Sequence, residues 1–297
     1  MKKIAIIGYG ELGRAIHKVL KQKSGLDIKV YDKKGGQGQL ALDESVSSAN
    51  LIFICVPSWC VREALADIKP FLDKKALVVC MAKGIEETTL KTMDIVLSEE
   101  LGDKAKTAIL SGPMLAEELS AGKKGFAVAA SKNKKDFARL EEIFHSTGLA
   151  VEYSKDLRGI ALCGVLKNIY ALGLGIVDGL ELGGNTKGKL SAIAIMEMMA
   201  AVKLLGGKEK TALGIAGAGD FITTGFSRYS RNREVGEELA KTGVCCLESE
   251  GYKSIASIIK LLGKTNDKML FLNALKSIIL ENQSPKTVFG ELQNLCG

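Results

Sequence analysis

Short apolar runs alternate with helical stretches over the first half of this 297-residue chain. The runs that predict strands are residues 3–7, 28–31, 51–56, 77–81, 107–110 and 126–130. Alternation of this kind is typical of a parallel sheet whose helices cross over between strands. From Asp156 onward the apolar residues recur at helical spacing instead. We therefore predict an α/β protein, with a doubly wound parallel sheet in residues 1–155 and an all-helical domain in residues 156–297.

The first predicted strand runs directly into a glycine-rich turn, and a helix follows at once. Gly8, Gly10 and Gly13 have the spacing G-x-G-x-x-G, which allows a tight turn, close approach of a pyrophosphate and close helix packing. The helix N-terminus adds N–H groups for the anion. Asp32 ends the next strand, where such motifs carry a ribose-binding acid. The turn residues predicted to contact a dinucleotide are Gly8, Tyr9, Gly10, Glu11, Leu12 and Gly13.

Further candidate residues follow the third, fourth and fifth predicted strands. Pro57, Lys83 and Gly112 stand at or just beyond the carboxyl ends of these strands. Ligands of an open, doubly wound sheet bind outside those ends. Lys83 is therefore a candidate for holding a substrate oxygen or phosphate beside the cofactor. The alternative is a solvated surface lysine.

Composition narrows the class of protein. Apolar residues make up 46% of the chain, and every stretch of eighteen residues contains a charge or other polar residue, so we predict no membrane span. Two histidines, and seven cysteines without C-x-x-C spacing, predict no metal site and cysteines that are small buried hydrophobes. The first strand begins at the N-terminus, which predicts no signal peptide and a cytoplasmic location.

The chain carries a formal net charge of +7, but its lysines are scattered apart from residues 132–135. A solvated helix start explains that cluster. We therefore expect no nucleic-acid partner. Modest positive charge does suit a protein that binds a small phosphorylated substrate.

Two isolated charges stand inside apolar stretches of the second half. Lys167 is the only charged residue in 159–177, and Asp220 is the only ionisable one in 211–227. Burial disfavours a charged ammonium group, which suits such an amine to proton transfer near neutral pH. Because buried charges are rare unless paired, we expect the two side chains to pair. The alternatives are a lysine that reaches solvent and an aspartate that caps a helix from Phe221.

Another helix is predicted to begin after Ser230, which is a suitable N-cap. Arg231 and Arg233 in its first turn oppose the helix dipole, so they require a compensating partner. A phosphate would serve, because guanidinium groups and helix N–H groups both suit its oxygens. A surface ion pair with Glu237 or Glu238 is the alternative.

With these motifs in place, the chain resembles the NAD(P)-dependent glycerol-3-phosphate dehydrogenases of bacterial type. The matching segments are Gly8-Tyr9-Gly10-Glu11-Leu12-Gly13, Val56-Pro57-Ser58, Lys83-Gly84-Ile85-Glu86, Ser111-Gly112-Pro113 with Ala116 and Glu117, Lys167-Asn168, Gly184-Asn185-Thr186, Gly217-Ala218-Gly219-Asp220 and Ser230-Arg231-Asn232-Arg233. The last four, in this order and spacing, are specific to that family. The resemblance implies a Rossmann-like domain joined to a helical domain. It also implies reversible NAD(P)H-dependent reduction of dihydroxyacetone phosphate to sn-glycerol 3-phosphate, for glycerophospholipid synthesis.

The resemblance also assigns roles to individual residues. Lys167 matches the family's proton donor and acceptor, with Asp220 and Lys83 as the other catalytic positions. The positions that match substrate contacts are Lys83, Gly112, Lys167, Asp220, Ser230, Arg231 and Asn232. The positions that match cofactor contacts outside the glycine turn are Asp32, Lys33, Pro57, Lys83, Ala116, Arg231 and Glu250.

Three departures from the family pattern bear on the cofactor and the substrate. Residues 35–50 are shorter and richer in glycine than the family's segment, which removes a wall near the adenosine. Met114 stands where the family has Ser or Thr, so one substrate-site hydroxyl is missing. Asp32 should accept hydrogen bonds from a ribose 2′-OH and repel a 2′-phosphate, which favours NAD(H). Lys33 and Lys34 could partly reverse this preference, so NADP(H) stays open.

Two other functions are weighed against the dehydrogenase. β-Hydroxyacid and ketopantoate-type reductases resemble one another in a Lys and an Asn four residues apart on a helix. Here Lys167 and Asn168 are adjacent, and Ala171 takes the later position. A non-catalytic NAD(H)-sensing protein would suit the short 35–50 segment and Met114, but retention of Lys167, Asp220 and Arg231 argues against it. The sequence does not define an oligomeric state, and a homodimer is the assembly considered.

Overall fold

The computed structural model describes residues 1–36, 40–244 and 247–295, and the chain forms two compact units. Unit 1 comprises Met1–Lys83 and Lys91–Leu157, and unit 2 comprises Gly84–Leu90 and Arg158–Gly297. The short segment Gly84–Leu90 therefore clusters with the helical unit, although it lies within the sequence predicted to form the first domain.

A mixed sheet of seven strands forms the centre of unit 1. The described strands are β1 (Lys2–Ile7), β2 (Leu26–Tyr31), β3 (Leu51–Ile54), β4 (Leu77–Cys80), β5 (Ile85–Glu86), β6 (Lys91–Thr92), β7 (Lys106–Ser111), β8 (Gly125–Ser131) and β9 (Leu149–Ser154). Strands β5 and β6 are not part of this sheet, and β5 belongs to unit 2. The sheet has the order β2-β1-β3-β4-β7-β8-β9. Its first five strands are parallel, as predicted, whereas β8 is antiparallel to β7 and β9 runs parallel to β8.

The edge strand β9 has no counterpart among the predicted strands. Leu149 is buried, while Ala150 and Glu152 are exposed, so the strand buries one side only. Within the sheet it pairs with β8 alone. An edge strand containing Ala and Glu has weak β-propensity, and here pairing with β8 overrides it. The strand ends at Ser154, beside the predicted domain boundary.

Helices cover the sheet of unit 1. They are α1 (Glu11–Leu20), α2 (Leu42–Val46), α3 (Val61–Ile68), α4 (Met93–Leu101), α5 (Ala116–Ser120) and α6 (Lys134–Phe144). Phe53 of β3 meets Phe144 of α6 edge to face, with ring centroids 5.8 Å apart, inside the core of this unit. Asn133 caps α6 by accepting from the backbone N–H groups of Lys135 and Asp136. The lysine cluster at 132–135 is therefore a helix start, as predicted.

The cysteines follow the prediction in part. Cys80 and Cys163 are buried, Cys55 and Cys60 are partly exposed, and Cys245, Cys246 and Cys296 lie outside the described residues. Burial, and secondarily the neighbouring Cys80, raises the pKa of the Cys55 thiol well above its usual range. Since the thiolate is the reactive form, the Cys55 thiol is unreactive near neutral pH.

Unit 2 is helical throughout most of its described length. Its helices are α7 (Leu157–Gly179), α8 (Gly183–Leu204), α9 (Asp220–Phe226), α10 (Arg231–Thr242), α11 (Glu250–Leu262), α12 (Leu270–Ile279) and α13 (Pro285–Leu295). Helix α7 is long and apolar enough to cross a membrane by length and composition. Its most apolar eighteen-residue window is nevertheless 100% buried inside the protein. Helix α7 is thus the core helix of unit 2.

Glycines allow α10 to contact α7 backbone to backbone. A Cβ atom on Gly175 would collide with the carbonyl oxygen of Arg233. In the same way, a Cβ atom on Gly236 would collide with the carbonyl oxygen of Leu172. The contact holds the first turn of α10 at a defined height along α7.

The buried carboxylate of Glu197 caps the N-terminus of α12. Glu197 of α8 accepts hydrogen bonds from the N–H groups of Phe271 at 2.8 Å and Leu272 at 3.0 Å. It also accepts one from the Tyr170 hydroxyl at 2.9 Å. Burial raises the pKa of Glu197, and the two backbone hydrogen bonds only partly oppose this rise. Burial, followed by the charge of Glu197, raises the pKa of Tyr170 well above its usual range.

Replacing Glu197 with Gln should change how stability depends on pH. Because the folded state raises the pKa of Glu197 above 4.5, ionisation of this group opposes folding. The stability that protonated Glu197 contributes is fully present below pH 4.5, and it is lost as the pH rises through the raised pKa of the folded state. Each unit of upward shift corresponds to about 1.4 kcal/mol. We expect the unfolding free energy of wild type, relative to Glu197→Gln, to fall between acidic and neutral pH in urea titrations. A difference that stays flat or rises would contradict this assignment.

Candidate active site

The glycine turn after β1 adopts a conformation that side chains would obstruct. Gly8 has a φ of +92°, and a Cβ atom there would lie 2.7 Å from Val56 Cγ1. A Cβ atom on Gly13 would collide with the Gly8 carbonyl oxygen, whereas one on Gly10 meets nothing within 4 Å. Gly10 is the N-cap of α1 and provides no side-chain cap. The turn therefore offers open space at a helix N-terminus, which suits an anion.

Asp32 connects the loop after β2 to this turn. Its Oδ2 accepts from the Tyr9 N–H at 2.6 Å, and its Oδ1 accepts from the Lys34 N–H at 2.9 Å. Lys33 forms an exposed ion pair with Glu63 of α3. The acidic group predicted to meet a ribose is therefore at the turn. Of the two lysines that could offset its charge, Lys33 is engaged with a carboxylate of its own.

The side chain of Tyr9 contacts α1. Its hydroxyl lies 2.6 Å from Nδ1 of His17, and the two rings are 5.6 Å apart. Burial, and to a smaller extent Lys21, lowers the pKa of His17. Arg14 donates to the Tyr9 carbonyl oxygen at 3.0 Å. Tyr9 thus contributes its N–H and its ring to the architecture of the turn.

These groups of unit 1 fit a dinucleotide cofactor. The open space at Gly10 and the free start of α1 suit a pyrophosphate, and Asp32 suits a ribose hydroxyl. Pro57 precedes the short 3₁₀ helix Ser58–Cys60 and follows Val56, whose side chain packs against Gly8. A cofactor held here would meet the Gly8 turn and the loop after β3.

Lys83 and Gly112, two predicted substrate positions, are in contact. The Lys83 ammonium donates to the Gly112 carbonyl oxygen at 3.0 Å. Gly112 has a φ of +150°, and a Cβ atom there would lie 2.5 Å from the Phe126 carbonyl oxygen, so a side chain is excluded. Ala116 is the first residue of α5. Met114, which stands in place of a hydroxyl residue, is buried in the core of unit 1.

Lys167 and Asp220 form a buried pair in unit 2. The Lys167 ammonium lies 3.3 Å from Asp220 Oδ1 and donates to Thr224 Oγ1 at 2.8 Å. The Thr224 hydroxyl lies 3.3 Å from the same carboxylate oxygen. Lys167 is 6% exposed and Asp220 is 2% exposed. Asp220 is the first residue of α9, and the N-cap Gly219 makes no side-chain cap. The predicted pairing is thus observed, and the helix-cap alternative is not.

Asn232 joins three helices of unit 2. Its Nδ2 donates to Asn168 Oδ1 at 2.9 Å, and its Oδ1 accepts from the Gly251 N–H at 2.8 Å. A Cβ atom on Gly251 would collide with the Asn168 carbonyl oxygen. Asn232 is 9% exposed. Glu250, the predicted late cofactor contact, is the first residue of α11, after the N-cap Ser249. The network holds α10 and α11 against the residue that follows Lys167.

The N-terminus of α10 presents an exposed arginine. Ser230 Oγ accepts from the Arg233 N–H at 3.2 Å, so Ser230 is the N-cap, as predicted. Arg231 pairs with Glu234 at 2.9 Å, and their side chains are 55% and 54% exposed. The surface-pair alternative named Glu237 or Glu238. Arg233 does pair with Glu237, at 2.7 Å, whereas Arg231 pairs with Glu234.

Two contributors to unit 2, Thr224 and Asp178, were missed at the sequence level. Thr224 bridges Lys167 and Asp220, and its signal is a hydroxyl four residues after Asp220 on one helix face. Asp178 closes the apolar stretch of α7. Its Oδ2 accepts from Lys187 at 2.6 Å and from Arg233 at 2.6 Å. The first-turn arginine Arg233 thus has one compensating partner on another helix, which no local pattern reveals, besides Glu237 of its own helix.

A largely parallel sheet with an open glycine turn, together with a helical unit carrying a buried lysine and aspartate, is typical of NAD(P)-dependent dehydrogenases. Two family models match the chain. NAD-dependent glycerol-3-phosphate dehydrogenase N-terminus matches residues 37–137, and the C-terminus model of the same family matches residues 156–290. The chain belongs to the NAD-dependent glycerol-3-phosphate dehydrogenase family.

Individual relatives agree with this assignment. The chain is 34% identical to glycerol-3-phosphate dehydrogenase [NAD(P)+] of Fusobacterium nucleatum over 275 residues, covering 90% of this chain and 79% of that protein. It is 30% identical to the enzyme of the same name from Clostridium botulinum, covering 98% and 97%. The crystal structure of glycerol-3-phosphate dehydrogenase from Coxiella burnetii superposes with a TM-score of 0.88 at 27% identity, covering 99% and 98%. The predicted family and fold class are confirmed.

Proposed function

We propose that this chain reduces dihydroxyacetone phosphate to sn-glycerol 3-phosphate, in the cytoplasm, for glycerophospholipid synthesis. The observation that carries the proposal is the buried Lys167–Asp220 pair in a chain of this family. A bound nicotinamide coenzyme supplies the hydride that adds to the ketone carbon. The ketone oxygen then requires a proton, and this chain has to provide its donor. The reverse reaction uses the same groups.

Lys167 is the proposed proton donor. Its ammonium group carries three N–H donors, and Thr224 Oγ1 together with Asp220 fixes its direction. The ammonium gives one proton to the oxygen as the carbon–oxygen double bond opens, and the neutral amine remains. Asp220 lies close enough to stabilise the ammonium before transfer and to favour its recovery of a proton afterwards. In the oxidation direction the amine accepts the hydroxyl proton instead.

Arg231 is the proposed phosphate ligand. Its present partner, Glu234, forms an exposed pair with it, a kind of interaction that contributes little to stability. A substrate phosphate carries more negative charge and fits the guanidinium fork and the N-terminus of α10. Binding energy at the phosphate would position the ketone without touching the reacting carbon. Lys83, Gly112, Ser230 and Asn232 stay as the other proposed substrate positions.

NAD(H) is the proposed preferred coenzyme. The carboxylate of Asp32 is held at the turn by the Tyr9 N–H, where a 2′-phosphate would meet its negative charge. Lys33 does not by itself offset the negative charge of Asp32, because Lys33 is paired with Glu63. The remaining proposed cofactor contacts are those of the glycine turn together with Pro57, Lys83, Ala116, Arg231 and Glu250.

Oxidation of NADH and NADPH by the purified protein, measured side by side with dihydroxyacetone phosphate, tests the proposal. We expect consumption that depends on the substrate, with the larger kcat/KM for NADH. Tight NADH binding without consumption would favour the NAD(H)-sensing alternative. Turnover of ketopantoate or a pyruvate-like acid in place of the phosphate ester would favour the other reductase class. Light scattering on the same sample gives the oligomeric state, and a homodimer is the proposed assembly.

A further inference from the structure

The strand order of unit 1 reverses at β1. Strand β2 lies on one side of β1, and β3, β4 and β7 follow on the other. Since β1, β2 and β3 are parallel, their carboxyl ends lie at one edge of the sheet. In open α/β sheets a ligand binds outside those ends at such a reversal. The loops after β1, β2 and β3 therefore border one crevice.

Contacts between these loops show that they are close together. The Cys55 N–H at the end of β3 donates to the Ile7 carbonyl oxygen of β1 at 2.8 Å. The loop after β2 reaches the turn after β1 through Asp32 and Tyr9. It also reaches α3 through the Lys33–Glu63 ion pair. The adenosine end of a dinucleotide would lie among these three segments.

Trp59 stands in the loop after β3 and is the only tryptophan of the chain. It occupies the middle of the 3₁₀ turn Ser58–Cys60, which joins β3 to α3. Ser58 beside it is 4% exposed, whereas Trp59 is 45% exposed. A tryptophan this exposed leaves part of its apolar surface in contact with water. Next to a nucleotide crevice, the ligand group that matches such a surface is a purine base.

Other exposed aromatic residues of unit 1 lie elsewhere. Phe71, 39% exposed, belongs to the 3₁₀ turn Lys69–Phe71 that precedes β4, and so lies toward the amino-terminal edge of the sheet. Phe126, 47% exposed, lies in β8, beyond β4 and β7 from β1. Trp59 is thus the exposed aromatic residue that borders the reversal within the described part of unit 1.

We propose that Trp59 stacks on the adenine of the dinucleotide and forms a wall of its pocket. This inference rests on the proposed use of a nicotinamide dinucleotide, and it adds a cofactor contact that the family resemblance did not assign. The proposal also bears on the short segment at residues 35–50, which removes a wall near the adenosine. The loop after β3 supplies a surface on the adenosine side in its place.

ADP-ribose, titrated into the full-length protein while Trp59 fluorescence is followed, tests the proposal. This probe carries the adenine but no nicotinamide, so it cannot accept energy from the indole over a distance, and quenching requires contact. Because Trp59 is the only tryptophan, its emission reports one site. We expect saturable quenching with the same midpoint that calorimetry gives for binding. Nicotinamide mononucleotide, which lacks adenine, should leave the emission unchanged.

Variants separate stacking from folding. Trp59→Ala should weaken ADP-ribose binding about 5- to 100-fold, the range found for loss of base stacking. Trp59→Phe retains a ring and should stay within a few-fold of wild type. Phe71→Ala, an equally exposed aromatic truncation in the same unit, should bind as wild type. Thermal melting checks that each variant is folded.

The proposal is overturned if bound ADP-ribose leaves Trp59 emission unchanged, or if Trp59→Ala binds it like wild type. Absence of any ADP-ribose binding would overturn it as well. None of these measurements involves turnover. If ADP-ribose quenches Trp59 but dihydroxyacetone phosphate does not oxidise NADH, the proposed reaction alone is wrong. If the enzyme turns over but Trp59 emission is unperturbed, the stacking proposal alone is wrong.

Discussion

Replacement of Lys167 by Met should reduce turnover of dihydroxyacetone phosphate by about 10²- to 10⁴-fold, the usual contribution of a positioned general acid. Met has similar length but no proton to give. The buried amine is held by Thr224 at 2.8 Å and by Asp220 at 3.3 Å, so it has the fixed position that a general acid requires. We expect NADH affinity, measured by fluorescence titration, to remain near the wild-type value. Steady-state and single-turnover kinetics give the loss.

The variant must be distinguished from a misfolded protein. Removing Lys167 leaves Asp220, 2% exposed, without its cation, and breaking a buried pair in this way costs about 3–5 kcal/mol of stability. The double variant Lys167→Met/Asp220→Asn removes both charges and should recover much of that stability. It should not recover activity.

A surface lysine supplies the matched control. Lys203 of α8 has a side chain that is 69% exposed and pairs with Glu209. Lys203→Met should therefore retain full turnover. Near-wild-type turnover by a folded Lys167→Met protein would refute the role of this amine, whatever its stability.

Replacement of Arg231 by Ala should lower kcat/KM for dihydroxyacetone phosphate about 10- to 100-fold, as expected for loss of a hydrogen-bonded charge pair. The same variant should act on unphosphorylated dihydroxyacetone as wild type does. With NADH saturating, so that the proposed cofactor contact of Arg231 does not enter the comparison, the reason is that Arg231 is proposed to contact the phosphate and not the reacting carbon. Comparing the two substrates therefore isolates the phosphate interaction.

Arg228 offers a control three residues away. It is exposed like Arg231, and its guanidinium stacks on Tyr229 with 5.0 Å to the ring centroid. Arg228→Ala should leave both kcat/KM values unchanged. An equal loss on both substrates in Arg231→Ala would instead indicate a structural role at the start of α10, since Ser230 and Asn232 flank this position.

The family and much of the cofactor turn were predictable because their signals are local. Gly8, Gly10 and Gly13 follow one another within a single strand–turn–helix segment, and Gly13 packs against the Gly8 carbonyl oxygen of the same segment. Ser230 capped its helix as predicted for the same reason. An isolated charge in an apolar run is also a local signal, and Lys167 and Asp220 each carried one.

Other features depended on packing. The antiparallel β8 and the edge strand β9 are set by pairing across the sheet, not by any periodicity of their own. One partner of Arg233, Asp178, comes from α7, 55 residues earlier in the chain. Glu197 gave no sequence signal as a helix cap, because the amides it accepts from lie 74 and 75 residues later.

Read along the chain, the residues alone were enough to state a dinucleotide turn, an α/β domain before a helical one, and a buried amine that requires an anion. Only the folded chain decided which groups meet. Thr224 joins Lys167 across 57 residues, and Asn232 reaches Asn168 across 64. The physical reason is that such contacts arise from how closely whole helices pack, here α10 on the glycines of α7. The distance at which two helices pack depends on both of their surfaces, so it cannot be read from the sequence of either helix alone.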